Sequence, residues 1–234
     1  MAVIDVVIPA LDEEEALPRV LEEIPSALVR RVVVADNGSR DRTADVARAS
    51  GAEVVSAPRR GYGAACLEAL AHIAPDPPDV VVFLDGDHSD HPSEMGALVH
   101  PIVEGSADLV VGSRTLGRAE RGSLTPQQRV GNAVACVALS RFYGARYSDL
   151  GPFRAIHWDG LRRLEMRDQN FGWTIEMQIK AARFGLRHVE VPVSYRRRIG
   201  RSKVSGTVKG TVLASGKILW TLARHSRLLS REPT

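Results

Sequence analysis

Short apolar runs alternate with amphipathic stretches along most of this chain, and the alternation predicts strands and helices in turn. Val3 to Ile8 reads as a first strand closed by Pro9. Glu13 to Ile24 then places Ala16, Leu17, Val20, Leu21 and Ile24 on one helical face, with Asp12 as its N-cap. Arg31 to Ala35 is a second strand, followed by the turn formers Asp36-Asn-Gly-Ser-Arg-Asp41. A helix over Thr43 to Ser50, a strand at Glu53 to Ser56 and a helix ending near Ile73 follow. The apolar run Val80 to Leu84 is a buried strand, Pro92-Ser93-Glu94 opens another helix, and Asp108 to Gly112 is a further strand.

A Gly-rich polar segment, Leu116 to Thr125, leads into a long helix over Pro126 to Tyr143. Asp149 to Arg154 reads as an irregular crossing, Gly172 to Phe184 as a helix and Arg187 to Tyr195 as a last strand. The basic loop Arg196 to Lys203 precedes a helix over Val208 to Leu229, which carries Val208, Val212, Leu219 and Leu222 on one side. The alternation predicts an α/β fold with a mostly parallel central sheet flanked by helices. Residues 1–207 are expected to form one domain. Residues 208–234 then form a basic amphipathic helix that lies on a membrane surface or packs on the domain.

Composition adds two constraints. No run of 18 apolar residues exists, and the N-terminus reads as a strand rather than a leader, so a cytoplasmic protein is expected. Cys66 and Cys136 lie inside apparent helices without metal spacing and read as small core residues. Charge is unevenly spread. From Arg183 onward there are 12 of the 31 Lys/Arg and 2 of the 28 Asp/Glu, leaving 19 basic and 26 acidic residues before it. A basic tail suits nucleic acid, anionic lipid or a phosphorylated substrate. Aromatic residues are only 5% and hardly interleave with the charges, which argues against nucleic acid.

The chemistry centres on Leu84-Asp85-Gly86-Asp87, two carboxylates at the carboxyl end of a buried strand, where open parallel sheets present ligands. Two hard oxygen donors so close suit Mg²⁺ or Mn²⁺ shared with substrate phosphates, although a loop of solvated acids would carry the same residues. Pro9-Ala-Leu-Asp-Glu-Glu14 lacks the glycines of a dinucleotide or P-loop turn. Its acids, with Asp36, suit hydrogen bonding to a base and ribose. Helix capping and turn formation account for them as well.

In order, the motifs are Pro9-x-x-Asp-Glu-Glu, Val34-Ala-Asp36-Asn-Gly-Ser-x-Asp41-x-Thr43, Arg60-Gly-Tyr-Gly-Ala-Ala, Leu84-Asp-Gly-Asp87, Gly112-Ser-Arg114 and Arg201-Ser-Lys203. Together they resemble family 2 glycosyltransferases, most nearly the branch of dolichyl- and polyprenyl-phosphate mannose and glucose synthases. The resemblance implies a glycosyltransferase A-type fold. It assigns Pro9, Leu11, Glu13, Asp36, Gly61, Gly63, Asp85 and Gly86 to the nucleotide sugar, and Asp85 and Asp87 to a divalent ion. Arg114, Arg129, Arg201 and Lys203 would meet diphosphate or acceptor phosphate. Asp149-Leu-Gly-Pro-Phe-Arg154 and Trp173-Thr-Ile-Glu176 would build the sugar and acceptor side. Asp12, Asn37 and Tyr62 depart from the common Asn, Asp and Lys, which leaves the base and sugar open.

The implied reaction is inverting transfer of a hexose from UDP-glucose or GDP-mannose. A lipid phosphate is already anionic and needs only cations to position it, which Arg114, Arg129, Arg201 and Lys203 would supply. A hydroxyl acceptor must lose a proton, and Asp149 and Glu176 are the candidate bases. The basic C-terminal segment favours the lipid phosphate, met peripherally at the cytoplasmic membrane face or through a membrane-anchoring partner. Two rivals are a sugar-1-phosphate nucleotidyltransferase, which should carry a Gly-rich basic loop after the first strand, and a non-catalytic nucleotide-sugar-binding subunit, which could dispense with the Asp pair.

Overall fold

A computed structural model describes residues 2–200 of the protein. Seven strands form one sheet: β1 (Ile4–Ala10), β2 (Arg31–Asp36), β3 (Glu53–Ser56), β4 (Val80–Phe83), β5 (Leu109–Ser113), β6 (Arg154–His157) and β7 (His188–Pro192). Their order is β3-β2-β1-β4-β6-β5-β7. β6 runs antiparallel to β4 and β5, and the other pairings are parallel. The helices are α1 (Leu17–Glu22), α2 (Thr43–Ala49), α3 (Tyr62–Ile73), α4 (Met95–Val103), α5 (Pro126–Tyr143), α6 (Trp158–Leu164) and α7 (Trp173–Arg183).

Strand periodicity divides the core in two. Val81 and Phe83 of β4 join Val7, Val33 and Val111 beneath α3, α5 and α7. Val80, Val82 and Leu84 join Val6, Ile8 and Val110 beneath α1 and α4. β4 is covered on both faces, which is why its sequence is continuously apolar rather than alternating.

Several local expectations change. Asp12 does not cap α1, which starts at Leu17 with Pro18 in its first turn. Instead Asp12 takes a positive φ of 53° and accepts from the Arg40 amide. The chain through Glu13 and Glu14 then donates amides to Thr43 and Asp41, zipping the first two motifs together. The crossing at 149–154 ends in a strand, β6, followed at once by α6. Neither is legible, because β6 has four residues and opens on a buried Arg154. That guanidinium donates to the carbonyls of Leu150, Gly151 and Thr174, fixing the start of β6 against α7. Among the described residues no helix is long and apolar enough to cross a membrane. The expected helix over 208–229, the domain boundary at 207, Arg201 and Lys203 lie outside them.

Candidate active site

The carboxyl ends of β1, β2, β4 and β5 meet at one edge of the sheet, where antiparallel β6 begins. A cleft of about 560 Å³ opens there. Pro9, Leu11, Glu13, Asn37, Arg60 and Gly61 line one part of it, and Asp85, Gly86 and Asp87 its floor. Arg114, Gln128, Asn132, Trp173, Tyr195 and Arg198 line the remainder.

Asp85 and Asp87 sit side by side with unequal partners. Among the described residues Asp85 accepts one hydrogen bond, from the Tyr62 hydroxyl at 3.1 Å. Burial, and then the charge of Asp87, push its carboxyl up to about 6. Asp87 accepts from the Ser89 amide and hydroxyl through one oxygen. Its other oxygen pairs with Arg198 at 3.0 Å. A third acid, Asp90, is buried close by, and its oxygens have no well-formed hydrogen-bond partner among the described residues. Burial, and then the charges of Asp85 and Asp87, push Asp90 well above the ordinary carboxylate range, favouring the neutral acid. A divalent cation would relieve this crowding of negative charge, so the donor set fits a hard metal ion. No group of three or more His, Cys, Asp or Glu converges on one point among the described residues. Such an ion would take two carboxylates from the described residues and its further ligands from water or phosphate oxygens.

Arg114 leaves the end of β5 and forms a two-pronged pair with Asp149, at 2.8 and 2.7 Å, while its own amide donates to the same carboxylate. Its guanidinium also lies 5.0 Å from the Tyr195 ring centroid. Burial works against the charge of Arg114, but the Asp149 hydrogen bonds outweigh it and raise its pKa. Asp149 is fully buried and outside the cleft lining. Glu176 is likewise enclosed, accepting from the Arg167 and Asp168 amides and pairing with Lys180 at 2.7 Å. Both acids hold the wall of the site together, and neither faces the cleft as a base would.

Gly61 lines the cleft, and the glycine motif also packs closely within the chain. A Cβ on Gly61 or Gly63 would overlap the carbonyl oxygens of Gln169 and Asp168, so the close approach is to the chain at 168–170. Gly61 also has a φ of 137°, which favours glycine. Asn37 fixes this loop by donating to Ala57 and Arg59 carbonyls and accepting from the Gly61 amide. Asp36 accepts from the Ser39 amide and does not line the cleft. Arg129 is exposed on α5 and also lies outside the lining. Sequence reasoning missed Arg60, Arg198, Gln128 and Asn132. Arg198 was visible only as part of the run Arg196-Arg-Arg198, which a solvated surface would also produce.

Comparison with known proteins places this geometry. The family model for glycosyl transferase family 2 matches residues 5–189. An uncharacterised glycosyltransferase of Mycobacterium tuberculosis is 39% identical over 214 residues, covering 90% of this chain and 94% of the relative. A dolichyl-phosphate hexose transferase of Haloferax volcanii is 32% identical over 225 residues, covering 95% and 96%. Glucosyl-3-phosphoglycerate synthase of M. tuberculosis, solved with Mn²⁺, UDP-glucose and phosphoglyceric acid, superposes with a TM-score of 0.77 at 28% identity. That match covers 96% of this chain and 80% of the synthase. The sheet, with its Asp pair at the carboxyl end of β4, is a glycosyltransferase A-type fold, and the chain belongs to glycosyl transferase family 2 and is a glycosyltransferase.

Proposed function

We propose that the protein moves a hexose from a nucleoside-diphosphate sugar to a polyprenyl- or dolichyl-type lipid phosphate, with inversion at the anomeric carbon. The observation that carries this reading is the charge inventory of the cleft. Its lining acids are Glu13, Asp85 and Asp87, set against Arg60, Arg114 and Arg198. Glu13 belongs to the part of the lining formed by Pro9, Leu11 and Asn37, assigned here to the nucleoside. Among the described lining residues the remainder therefore offers Arg114 and Arg198 and no carboxylate beyond Asp85 and Asp87. A phosphate monoester is already a nucleophile at neutral pH, so such a wall suits it better than a hydroxyl that must first be deprotonated.

Asp85 and Asp87 would hold Mg²⁺ or Mn²⁺, which when bound supplies Lewis-acid neutralisation of the leaving diphosphate. Arg198, paired with Asp87, stands where it can exchange that carboxylate for a phosphate oxygen. Arg114, fixed by Asp149 and Tyr195, presents a pre-oriented positive charge. The loop anchored by Asn37 closes the nucleoside side. The Haloferax relative's name supports the lipid-phosphate acceptor, and the Mn²⁺ and UDP-glucose in the synthase structure support a divalent ion and a uridine donor.

The same synthase supports a second reading, a soluble phosphorylated acceptor glycosylated on a hydroxyl. That reading needs a base, for which Asp149 and Glu176 are badly placed. Turnover of UDP-glucose and GDP-mannose with Mn²⁺ or Mg²⁺, with and without short-chain polyprenyl phosphate, tests the proposal. Transfer should require the lipid phosphate and stop on chelation. Donor hydrolysis indifferent to the lipid would overturn it.

A further inference from the structure

Helix α5 carries an apolar face that nothing in the described structure covers. Its inner side follows ordinary rules, with Ala135 and Leu139 buried on α7 and the sheet. Gln128 and Asn132 reach the cleft from its first turns. The outer side does not. Val130, Val134 and Val137, spaced i, i+4 and i+7 on one helical face, are 64%, 48% and 68% exposed. Ala133 lies beside them and is also exposed. An isolated exposed valine is ordinary, but three in register on one face make a continuous apolar strip about 10 Å long.

Charge identifies what such a strip would meet. From residue 115 to 147 the chain has Arg118, Arg121, Arg129, Arg141 and Arg146, all exposed, and a single acid, Glu120. None of these arginines is ion-paired with a side chain among the described residues. Arg129 and Arg141 flank the valines on the helix itself. Exposed Leu116 and Arg118 lie on the segment leading into it. Apolar residues rimmed by five arginines against a single acid complement a surface of anionic headgroups over an acyl region. Self-pairing of the same face across a two-fold would instead set arginines against arginines.

We propose that the outer face of α5 is a membrane-docking surface for anionic lipid. The orientation has a chemical consequence, since one helix would then touch the bilayer with one side and line the cleft with another. A lipid phosphate leaving the headgroup layer would reach the site past Gln128 and Asn132 without crossing bulk water. This route rests on the lipid-phosphate reading of the cleft, whereas the docking surface rests on exposure and charge alone.

The test uses the full chain and vesicles of phosphatidylcholine, alone or with phosphatidylglycerol. The protein should sediment with the anionic vesicles and little with the neutral ones. Val130→Gln, Val134→Gln and Val137→Gln together, which keep good helix formers on α5, should weaken that partitioning by about tenfold or more. Transfer to a water-soluble short-chain phosphate should be unchanged. Separately, Val134→Trp should give emission that shifts to the blue when anionic vesicles are added. Unchanged partitioning of the triple variant, with docking then residing elsewhere, including residues 201–234, would overturn the proposal. So would no wild-type binding, no blue shift, or conversion of an oligomer to monomer by the triple variant, which would make the face a contact between copies. Vesicle binding reads the surface and short-chain turnover reads the acceptor, so either reading can fail alone.

Discussion

Asp85 and Asp87 share the floor of the cleft and have different neighbours, yet both are assigned to the metal. Among the described residues Asp85 receives only the Tyr62 hydroxyl, whereas Asp87 is held by Ser89 and Arg198. Asp85→Asn or Asp87→Asn should each cut metal-dependent transfer by about 100-fold or more, measured as initial rate at saturating Mn²⁺. A rate within a few-fold of wild type would remove the metal assignment. Asp149 should behave differently. Asp149→Asn leaves the Arg114 guanidinium buried without its counter-charge, at a cost of about 3–5 kcal/mol, read by urea denaturation. Full stability with lost turnover would instead return Asp149 to the role of base. Gly63→Ala forces a methyl against the Asp168 carbonyl and should cost about 1–3 kcal/mol by the same measurement.

Among the elements, the segment after β7 is the one whose position decides the site, because it delivers Tyr195 and Arg198. It is tied down by Arg196, which donates to Glu23 at 2.6 Å and to the carbonyls of His88 and Asp90. The Arg196 hydrogen bond holds the Glu23 carboxyl below its ordinary 4.5. A depressed acid stabilises the fold above its unfolded value and loses that contribution as pH falls through the folded one. Glu23→Gln should therefore destabilise by about 1 kcal/mol at pH 7 and progressively less below pH 4.5, followed by thermal melts across pH. A pH-independent difference would mean that the tether is not ionic. Elements with local signals were legible in the sequence. The bounds of α5 follow from the Thr125–Gln128 capping box, Pro126 in the first turn and Gly144 at the end. β6 has no comparable signal, since its four residues are defined by pairing with β4 and β5, distant in sequence.

At the scale of the whole molecule, what could be read was the arrangement of acids at strand ends. What could not be read was which side chains are already engaged. Leu84-Asp85-Gly-Asp87 announces itself because four buried apolar residues precede it. Whether Asp149 is free depends on Arg114, 35 residues earlier, and no local pattern reports that. Asp36 and Arg129 were placed by resemblance and stand outside the cleft lining, while Arg60 and Arg198 reach it through the folding of loops. The resulting molecule has a metal-suited carboxylate pair facing cations, and among the described residues neither Asp149 nor Glu176 lines the cleft beside them, which supports the proposal of an acceptor that arrives already charged.

The most direct test puts labelled donor, Mn²⁺, short-chain polyprenyl phosphate and phosphoglyceric acid in one reaction and asks which acceptor carries the label. Label on the polyprenyl phosphate, lost in Asp85→Asn, is the result this account predicts. Label on phosphoglyceric acid alone would contradict it.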